Sequence, residues 1–297
     1  MSVIWGAALA LASAATFGFN NAALRRGVLQ GSVLQALAIT VPLGIPLFLA
    51  GAWLKGELPA LAAFSPPAML SLAAAGILHF GIGRYANYRA VVAVGSNLSG
   101  ILSEFSIVVS LALAVGLLGE RLSVVQVAGI ILIFLAFRGV GRGETLSSKL
   151  FRPDLRRGYL YSLLSAGAYG TSPVLVRATL SDVNLPLAGG LISYVAATLA
   201  FAAFALMSGS LRHLRAVPRA ALPWFLVSGL FVGASQVFRY LALSLAPVTI
   251  VAPIQRLSLV FRALFGMRLN PEYEAWNARI LLALIIALVG GVAVALG

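Results

Sequence analysis

The sequence contains no cysteine, and only 10% of its 297 residues are charged. Without cysteine there is no disulfide, no thiol nucleophile and no cysteine-ligated zinc. Two histidines and eight carboxylates offer little to any other metal, so we predict no metal site. The sequence also lacks a phosphate-binding Walker pattern and a recognisable nucleophile with its base, so we expect no cofactor and no enzyme activity.

Apolar residues are abundant: 61% of the chain is hydrophobic and the mean hydropathy is +1.00. A soluble domain has about a quarter of its residues charged, so this composition predicts an integral membrane protein whose partner is the lipid bilayer. The net charge of +13 lies mostly in short segments between apolar runs. That distribution is typical of membrane orientation signals, and we expect no nucleic-acid partner.

The chain contains one unit twice, because an offset of 152 residues aligns similar residues along its length without a gap. Internal repeats determine the fold class and are therefore considered first. We predict a first unit over residues 1–145, a linker over 146–152 and a second unit over 153–297. The residue pairs are Ser13 and Ser165, Phe17 and Tyr169, Gly18 and Gly170, Arg25 and Arg177, Tyr88 and Tyr240, Ala90 and Ala242, Ser106 and Ser258, and Glu120 and Glu272.

Each unit contains five apolar runs of about 20 residues, the length of a bilayer-spanning helix. Because five is odd, the second unit enters the membrane from the other side. We therefore predict an all-α integral membrane protein with ten transmembrane helices in two inverted five-helix repeats, which places a substrate site near the midplane. The predicted helices cover residues 2–24, 33–54, 66–88, 94–118, 122–140, 157–178, 185–208, 220–243, 246–267 and 276–296.

Basic residues predict the orientation. The segments after predicted helices 1, 3, 5, 7 and 9 carry thirteen Lys and Arg residues, whereas the other side carries Lys55, Arg121 and Arg177. The positive-inside rule places the first set in the cytoplasm and both chain termini on the outer, periplasmic side. Ala12-Ser13-Ala14 resembles a signal cleavage site, but no Lys or Arg precedes it, and the repeat identifies this run as the first helix.

Two opposite charges lie deep in predicted helices at equivalent positions of the repeat, Glu104 in helix 4 and Arg256 in helix 9. A charge at the bilayer centre costs at least ~2.5–3.5 kcal/mol on insertion scales, so each needs a reason. Two interpretations remain open. The pair forms a salt bridge between the halves, or Arg256 binds an anionic group while Glu104 binds an ammonium group or a coupling proton.

Neighbouring polar and aromatic residues extend this candidate site. Helical spacing places Asn97 on the face of Glu104. His79 titrates near neutrality when unperturbed, which makes it either a second candidate for proton coupling or a packed, hydrogen-bonded residue. Arg239, like Arg84, either contacts substrate or extends to the membrane interface. The remaining candidate substrate-binding residues are Gln236 and the aromatic side chains of Phe17, Tyr88 and Tyr169, which suit a mostly apolar ligand site.

The order of these motifs resembles the EamA branch of the drug/metabolite transporter superfamily. The resemblance covers nearly the whole chain. The second half departs from it at Asn270-Pro271-Glu272, where the family usually has a Gly-Glu pair. The motifs are Tyr88-Arg89-Ala90 and Tyr240-Leu241-Ala242 at the ends of helices 3 and 8, each before a further helix, and Gly119-Glu120-Arg121 before helix 5.

The resemblance implies a ten-helix secondary transporter of the bacterial inner membrane, with a central cavity lined by helices 1, 3, 4, 6, 8 and 9. Members handle amino acids, aromatic ones included, and eukaryotic relatives exchange sugar phosphates or nucleotide sugars. We therefore expect export of a small zwitterionic or anionic metabolite, first of all an amino acid, by a monomer or homodimer that works by alternating access. An exchanger of phosphorylated or other organic anions and a lipid flippase are the alternatives. Relatives are usually drawn with cytoplasmic termini, which the charge distribution here contradicts.

Overall fold

The computed structural model of the chain describes residues 2–103, 105–141, 154–210, 214, 216–269 and ten positions between 282 and 297. Within these residues the backbone is almost entirely helical. A 3-10 helix covers Leu58–Ala63, and a π-helical segment, Ile77–Gly83, joins two α-helices. The helices are α1 (Ser2–Val28), α2 (Val33–Thr40), α3 (Gly44–Leu54), α4 (Pro66–Gly76), α5 (Arg84–Ser103), α6 (Phe105–Leu118), α7 (Val124–Gly141), α8 (Leu155–Asp182), α9 (Pro186–Met207), α10 (Leu222–Leu245), α11 (Val248–Gln255) and α12 (Ser258–Leu269).

Six helical stretches of the described chain are long and apolar enough to cross a membrane, and two shorter apolar helices, Phe105–Leu118 and Val124–Leu135, accompany them. The protein is therefore an all-α, multi-pass membrane protein. Each spanning stretch has about the 20 residues that a bilayer crossing needs. The six are Ser2–Val28, Val33–Leu54, Pro66–Ala90, Pro186–Met207, Leu222–Leu245 and Val248–Leu269.

Local sequence signals set several helix boundaries. Ser32 and Gln35 form a capping box that starts α2, in which each side chain bonds the other's backbone N–H. Ser65 caps α4 in the same position. Gly119 has a φ of +63°, a left-handed conformation that glycine adopts without the strain of a Cβ, and it directly follows α6.

Two differences from the predicted helix boundaries lie in the first half of the chain. The predicted helix over 33–54 is interrupted at 41–43, next to Pro42, whose nitrogen carries no hydrogen to donate. The backbone is helical through 89–93, where a connection between helices 3 and 4 was predicted, and this Arg-Ala-Val-Val-Ala stretch contains no glycine or proline that would end a helix.

The bundle has two ends. At the end that we call the basic face, Arg26 donates to the carbonyl of Leu269, and Gly27 lies against the ring of Phe225. At the other end, which we call the opposite face, Gly6 of α1 packs against Ala246. The connections at 55–65, 119–123, 183–185 and 246–247 lie at this opposite face.

Two packing contacts occur twice in the structure, with both partners shifted by the repeat offset of 152 residues. One is a hydrogen bond of a serine side chain, which joins α1 to α10 in one copy and α8 to the end of the π-helical segment in the other. The other is a close approach at a glycine, where an added Cβ would lie within 2.6 Å of a neighbouring Cβ. The contacts are Ser13 with Ser235 and Ser165 with Gly83, and Gly18 with Phe261 and Gly170 with Val109.

Candidate functional site

A polar cavity lies between α1, the π-helical segment, α5, α8, α10 and the junction of α11 with α12. It occupies the middle of the bundle and the half nearer the basic face. Six of the nine predicted substrate-binding residues line it. These six are Phe17, His79, Tyr169, Gln236, Arg239 and Arg256.

The other three predicted residues are not placed in this cavity. Tyr88 lines a smaller neighbouring cavity. Glu104, the leading candidate for a coupling proton or an ammonium ligand, lies outside the residues that the structure describes. Asn97 belongs to helix α5, but its side chain also lies outside the described part, so the predicted Asn97–Glu104 face stays a prediction.

Arg256 lies at an interruption of a membrane-spanning stretch. α11 ends at Gln255, the backbone N–H of Arg256 bonds the carbonyl of Pro253, and α12 begins two residues later. Its Nη1 donates to Ser106 Oγ at 2.8 Å, while its buried Nε has no acceptor among the described residues. An unsatisfied buried donor is costly, and an acceptor on a bound solute would remove that cost. Interrupted helices of this kind form ion and substrate sites in transporters.

Arg239 is fixed by a network of side chains. Its Nη1 lies 2.9 Å and 3.0 Å from the two ring nitrogens of His79 and donates to Gln236 Oε1 at 2.9 Å, and its Nη2 donates to Ser172 Oγ at 2.9 Å. An arginine only donates, so the histidine nitrogen that it bonds must accept, and the neutral imidazole is the compatible form. The network therefore favours a positioning role for His79 over proton binding.

Neither Arg239 nor Arg84 extends to the membrane interface. Each is 2% exposed, so that alternative is wrong for both. Arg84 Nη1 donates to the carbonyl of Thr40 at 3.5 Å, and its guanidinium stacks 5.2 Å from the ring centre of Phe80. The inward direction follows from the neighbouring helices, whose carbonyls and aromatic rings provide partners inside the bundle.

The cavity is cationic within the described part of the chain. Arg239, Arg256 and Arg262 all line it. The four described carboxylates lie elsewhere, with Asp154 and Asp182 at exposed ends of α8. Sequence reasoning missed Arg262, although a charge deep in the predicted helix 246–267 was a sufficient signal.

An aromatic wall stands beside the guanidinium groups. The rings of His79 and Tyr169 are 4.6 Å apart between centroids, and Phe17 lines the same cavity. Gly83 permits this arrangement, because a Cβ at that position would lie 2.7 Å from Tyr169 Cε1. The cavity therefore combines cationic donors with a flat apolar surface.

The smaller cavity continues the first one towards the basic face. The two share Asn21, Asn87 and Arg262, and the smaller one extends to Arg25 and Val28 near the end of α1. Asn87 is 8% exposed. Two adjoining cavities thus extend from the middle of the bundle towards the basic face.

A multi-pass helical bundle with an enclosed, arginine-lined cavity that extends towards one face has the architecture of a membrane transporter. Residues 4–141, close to half of the chain, match the model of the EamA-like transporter family, which is part of the drug/metabolite transporter superfamily. This match implies a membrane transporter of the same type.

Structural comparison finds a similar fold over nearly the full length of the chain. A solved protein, described only as "Crystal structure of protein", aligns with 97% of this chain and 95% of its own, with a TM-score of 0.73. Its 15% identity relates the two by fold alone. No curated protein sequence matches the chain.

Proposed function

We propose that the protein is a secondary transporter of a small organic anion, which binds at Arg256 and crosses the bacterial inner membrane by alternating access. The observation that carries this proposal is Arg256, a cationic side chain that lines the cavity and whose buried Nε has no acceptor in the described chain. A carboxylate or phosphate oxygen is the natural acceptor, because guanidinium groups bind such anions through two parallel hydrogen bonds.

The balance of charge supports an anion over a zwitterion. Three cationic side chains, those of Arg239, Arg256 and Arg262, line the cavity. Carboxylated or phosphorylated metabolites, carried by export or exchange, are therefore the leading substrate class.

An amino acid is the second candidate, favoured by the aromatic wall of Phe17 and Tyr169. Its carboxylate would bind Arg256, its side chain would lie on the wall, and Glu104 would hold its ammonium group. With His79 engaged by Arg239, Glu104 is also the stronger candidate for proton coupling.

Inverted repeats allow alternating access through the movement of one half against the other, and we propose the ten-helix inverted repeat for this protein. Support comes from the two contacts that recur at the repeat offset, such as Gly18 with Phe261 and Gly170 with Val109. The basic face would be cytoplasmic and both termini periplasmic by the positive-inside rule. Because the smaller cavity extends towards the basic face, a solute would reach the site from the cytoplasm in this conformation.

A lipid flippase would need a polar groove open sideways to the bilayer. Arg239 is 2% exposed, and Arg256 faces an interior cavity. This enclosure supports a solute carrier over a flippase.

The test is thermal stabilisation of the purified protein by a panel of dicarboxylates, phosphorylated metabolites and amino acids. A ligand that binds the folded state stabilises it in proportion to RT ln(1 + [L]/Kd), so a shift reports binding directly. We expect organic anions to give the largest shifts. Arg256→Gln should abolish them, and Arg256→Lys should restore them only in part, because a lysine has the charge without the planar pair of donors.

Counterflow in proteoliposomes then separates transport from binding. We expect accumulation of a labelled anion against its unlabelled form with wild-type protein and loss with Arg256→Gln. Undiminished binding and counterflow in Arg256→Gln would refute the proposal. Shifts by amino acids alone would replace the anion with the second candidate.

A further inference from the structure

Two helices of the second half begin without a cap from their own sequence. The residue before α9 is Leu185 and the residue before α11 is Pro247, and neither has a side chain that accepts a hydrogen bond. The first N–H groups of a helix have no partner within it and are usually capped by Ser, Thr, Asp or Asn. Their partners in this protein must therefore come from elsewhere.

The first half of the chain supplies these partners through two carboxylates. Glu57 Oε2 accepts from the N–H groups of Leu187 and Ala188, both at 2.8 Å, at the start of α9. Glu57 Oε1 also lies 3.1 Å from Lys55 Nζ. A negative charge at a helix N-terminus interacts favourably with the helix dipole as well as with the N–H groups.

The second carboxylate makes the corresponding contact on α11. Glu120 Oε1 accepts from the N–H of Val248, and Oε2 accepts from the N–H of Thr249, each at 2.9 Å. Glu120 follows Gly119, whose left-handed backbone turns the chain at the end of α6. Both carboxylates thus join the first half to a helix start in the second half.

Both contacts lie at the opposite face, away from the cavities that extend towards the basic face. Beneath them the bundle is filled by a buried aromatic cluster. Phe80 and Tyr194 stack at 4.0 Å between centroids, and Phe48 lies 5.2 Å from Tyr194 and 5.4 Å from Tyr240. In the described structure the cavity therefore extends towards the basic face, whereas the end at the opposite face is filled with packed side chains.

The contact at α11 is also linked to the substrate site. This eight-residue helix has Glu120 at its first N–H groups and is followed directly by Arg256. A movement of α11 away from Glu120 would move Arg256 with it. One short rigid element therefore connects the closed end of the bundle to the proposed anion ligand.

We propose that Glu57 and Glu120 are positioning residues for transport, which hold the opposite face closed by fastening α9 and α11 and must release them when the cavity opens there. The proposal rests on alternating access, a part of the proposed function, and holds for any solute. Neutralising both carboxylates should shift the population towards the state open at the opposite face.

The absence of cysteine makes a direct test available. Ser258→Cys places one thiol in the cavity, and a membrane-impermeant thiol reagent is applied to intact cells or to inverted membrane vesicles. Exposed Ser181→Cys at the end of α8, near the opposite face, identifies which preparation presents that face. The labelling rate from each side is compared with and without Glu57→Gln and Glu120→Gln together.

We expect faster labelling from the opposite face and slower labelling from the basic face in the double variant. The change should be roughly tenfold, within the 5- to 150-fold range that is ordinary for coupling between sites. Asp182→Asn is the matched control, because this carboxylate also lies near the opposite face, at the last residue of α8, but is exposed and accepts a hydrogen bond only from Ser181 Oγ among the described contacts. It should leave both rates unchanged.

The direction of the change separates gating from loosened structure, since a merely destabilised bundle would label faster from both sides. That outcome, or unchanged rates in a folded double variant, overturns the proposal. If the double variant does not fold, each single Glu→Gln variant is measured in the same way. Loss of ligand-induced stabilisation in Arg256→Gln is read separately, so the substrate site and the closing contacts can fail independently.

Discussion

Gly170 and Gly167 lie three residues apart on α8 but in different surroundings. A Cβ at Gly170 would lie 2.6 Å from Val109 Cβ and 2.7 Å from the backbone oxygen of Ser106. A Cβ at Gly167 would meet nothing within 4 Å. Because a backbone oxygen cannot rotate away as a side chain can, Gly170→Ala must separate α8 from α6, whereas Gly167→Ala only fills open space.

The expected changes in the free energy of unfolding follow from two opposing contributions. Both variants gain from the better helix propensity of alanine, about 0.5–1 kcal/mol each. Gly170→Ala also pays the cost of overpacking, typically about 1–3 kcal/mol. Since the propensity gain is shared, the difference between the two variants isolates the packing cost, and Gly170→Ala should be less stable than Gly167→Ala by about 1–3 kcal/mol.

Thermal unfolding of both purified variants measures this difference. At roughly 2–4 °C per kcal/mol, a scale taken from soluble domains, we expect the Tm of Gly170→Ala to lie several degrees below that of Gly167→Ala. Gly18→Ala should behave like Gly170→Ala, because its Cβ would lie 2.5 Å from Phe261 Cβ and 2.7 Å from a backbone nitrogen. Equal Tm values for Gly170→Ala and Gly167→Ala would refute the claim that α6 and α8 are in backbone contact.

Two further predictions concern the role of His79 in the site and the contact between Gly129 and Gly290. His79→Gln keeps an acceptor for Arg239 and should retain ligand binding. His79→Leu should weaken ligand binding about 5- to 150-fold, the equivalent of about 1–3 kcal/mol for an unsatisfied buried donor. Ligand titration of both variants measures the difference, and equal affinities would show that His79 does not contribute to the site. Gly129→Ala should lower the free energy of unfolding by about 1–3 kcal/mol, because its Cβ would lie 2.7 Å from the carbonyl oxygen of Gly290. Gly116→Ala, which has open space around it, should not. Thermal unfolding of the two variants shows whether α7 is in contact with the backbone at Gly290.

Most of the candidate site could be predicted because polar residues in apolar runs are conspicuous. Arg256, His79 and Gln236 stand out in this way, and the structure brings them to one cavity. Tyr88 was assigned to the same cavity, but its side chain lines the smaller neighbouring one. The sequence predicts that a helix carries such a residue; the rotation of that helix against its neighbours decides which cavity it faces.

The direction in which a long side chain points could also not be predicted from the sequence. Arg84 and Arg239 are near predicted helix ends, from which an arginine can reach either the interface or the interior. Both are buried, because hydrogen-bond partners lie inside the bundle. Arg84 bonds the carbonyl of Thr40, and Arg239 bonds the side chains of His79 and Ser172. These partners come from helices that are distant in the chain.

The sequence by itself determined that this is a helical membrane protein, because the length of an apolar run is a local property of the chain, and the 152-residue offset predicts a repeated unit. Only the tertiary structure decided how the helix starts at Leu187 and Val248 are capped. Their partners, Glu57 and Glu120, are 130 and 128 residues away, and nothing in the local sequence of either helix indicates them. Such contacts depend on how the helices pack against one another, and packing arises only when the whole bundle has formed.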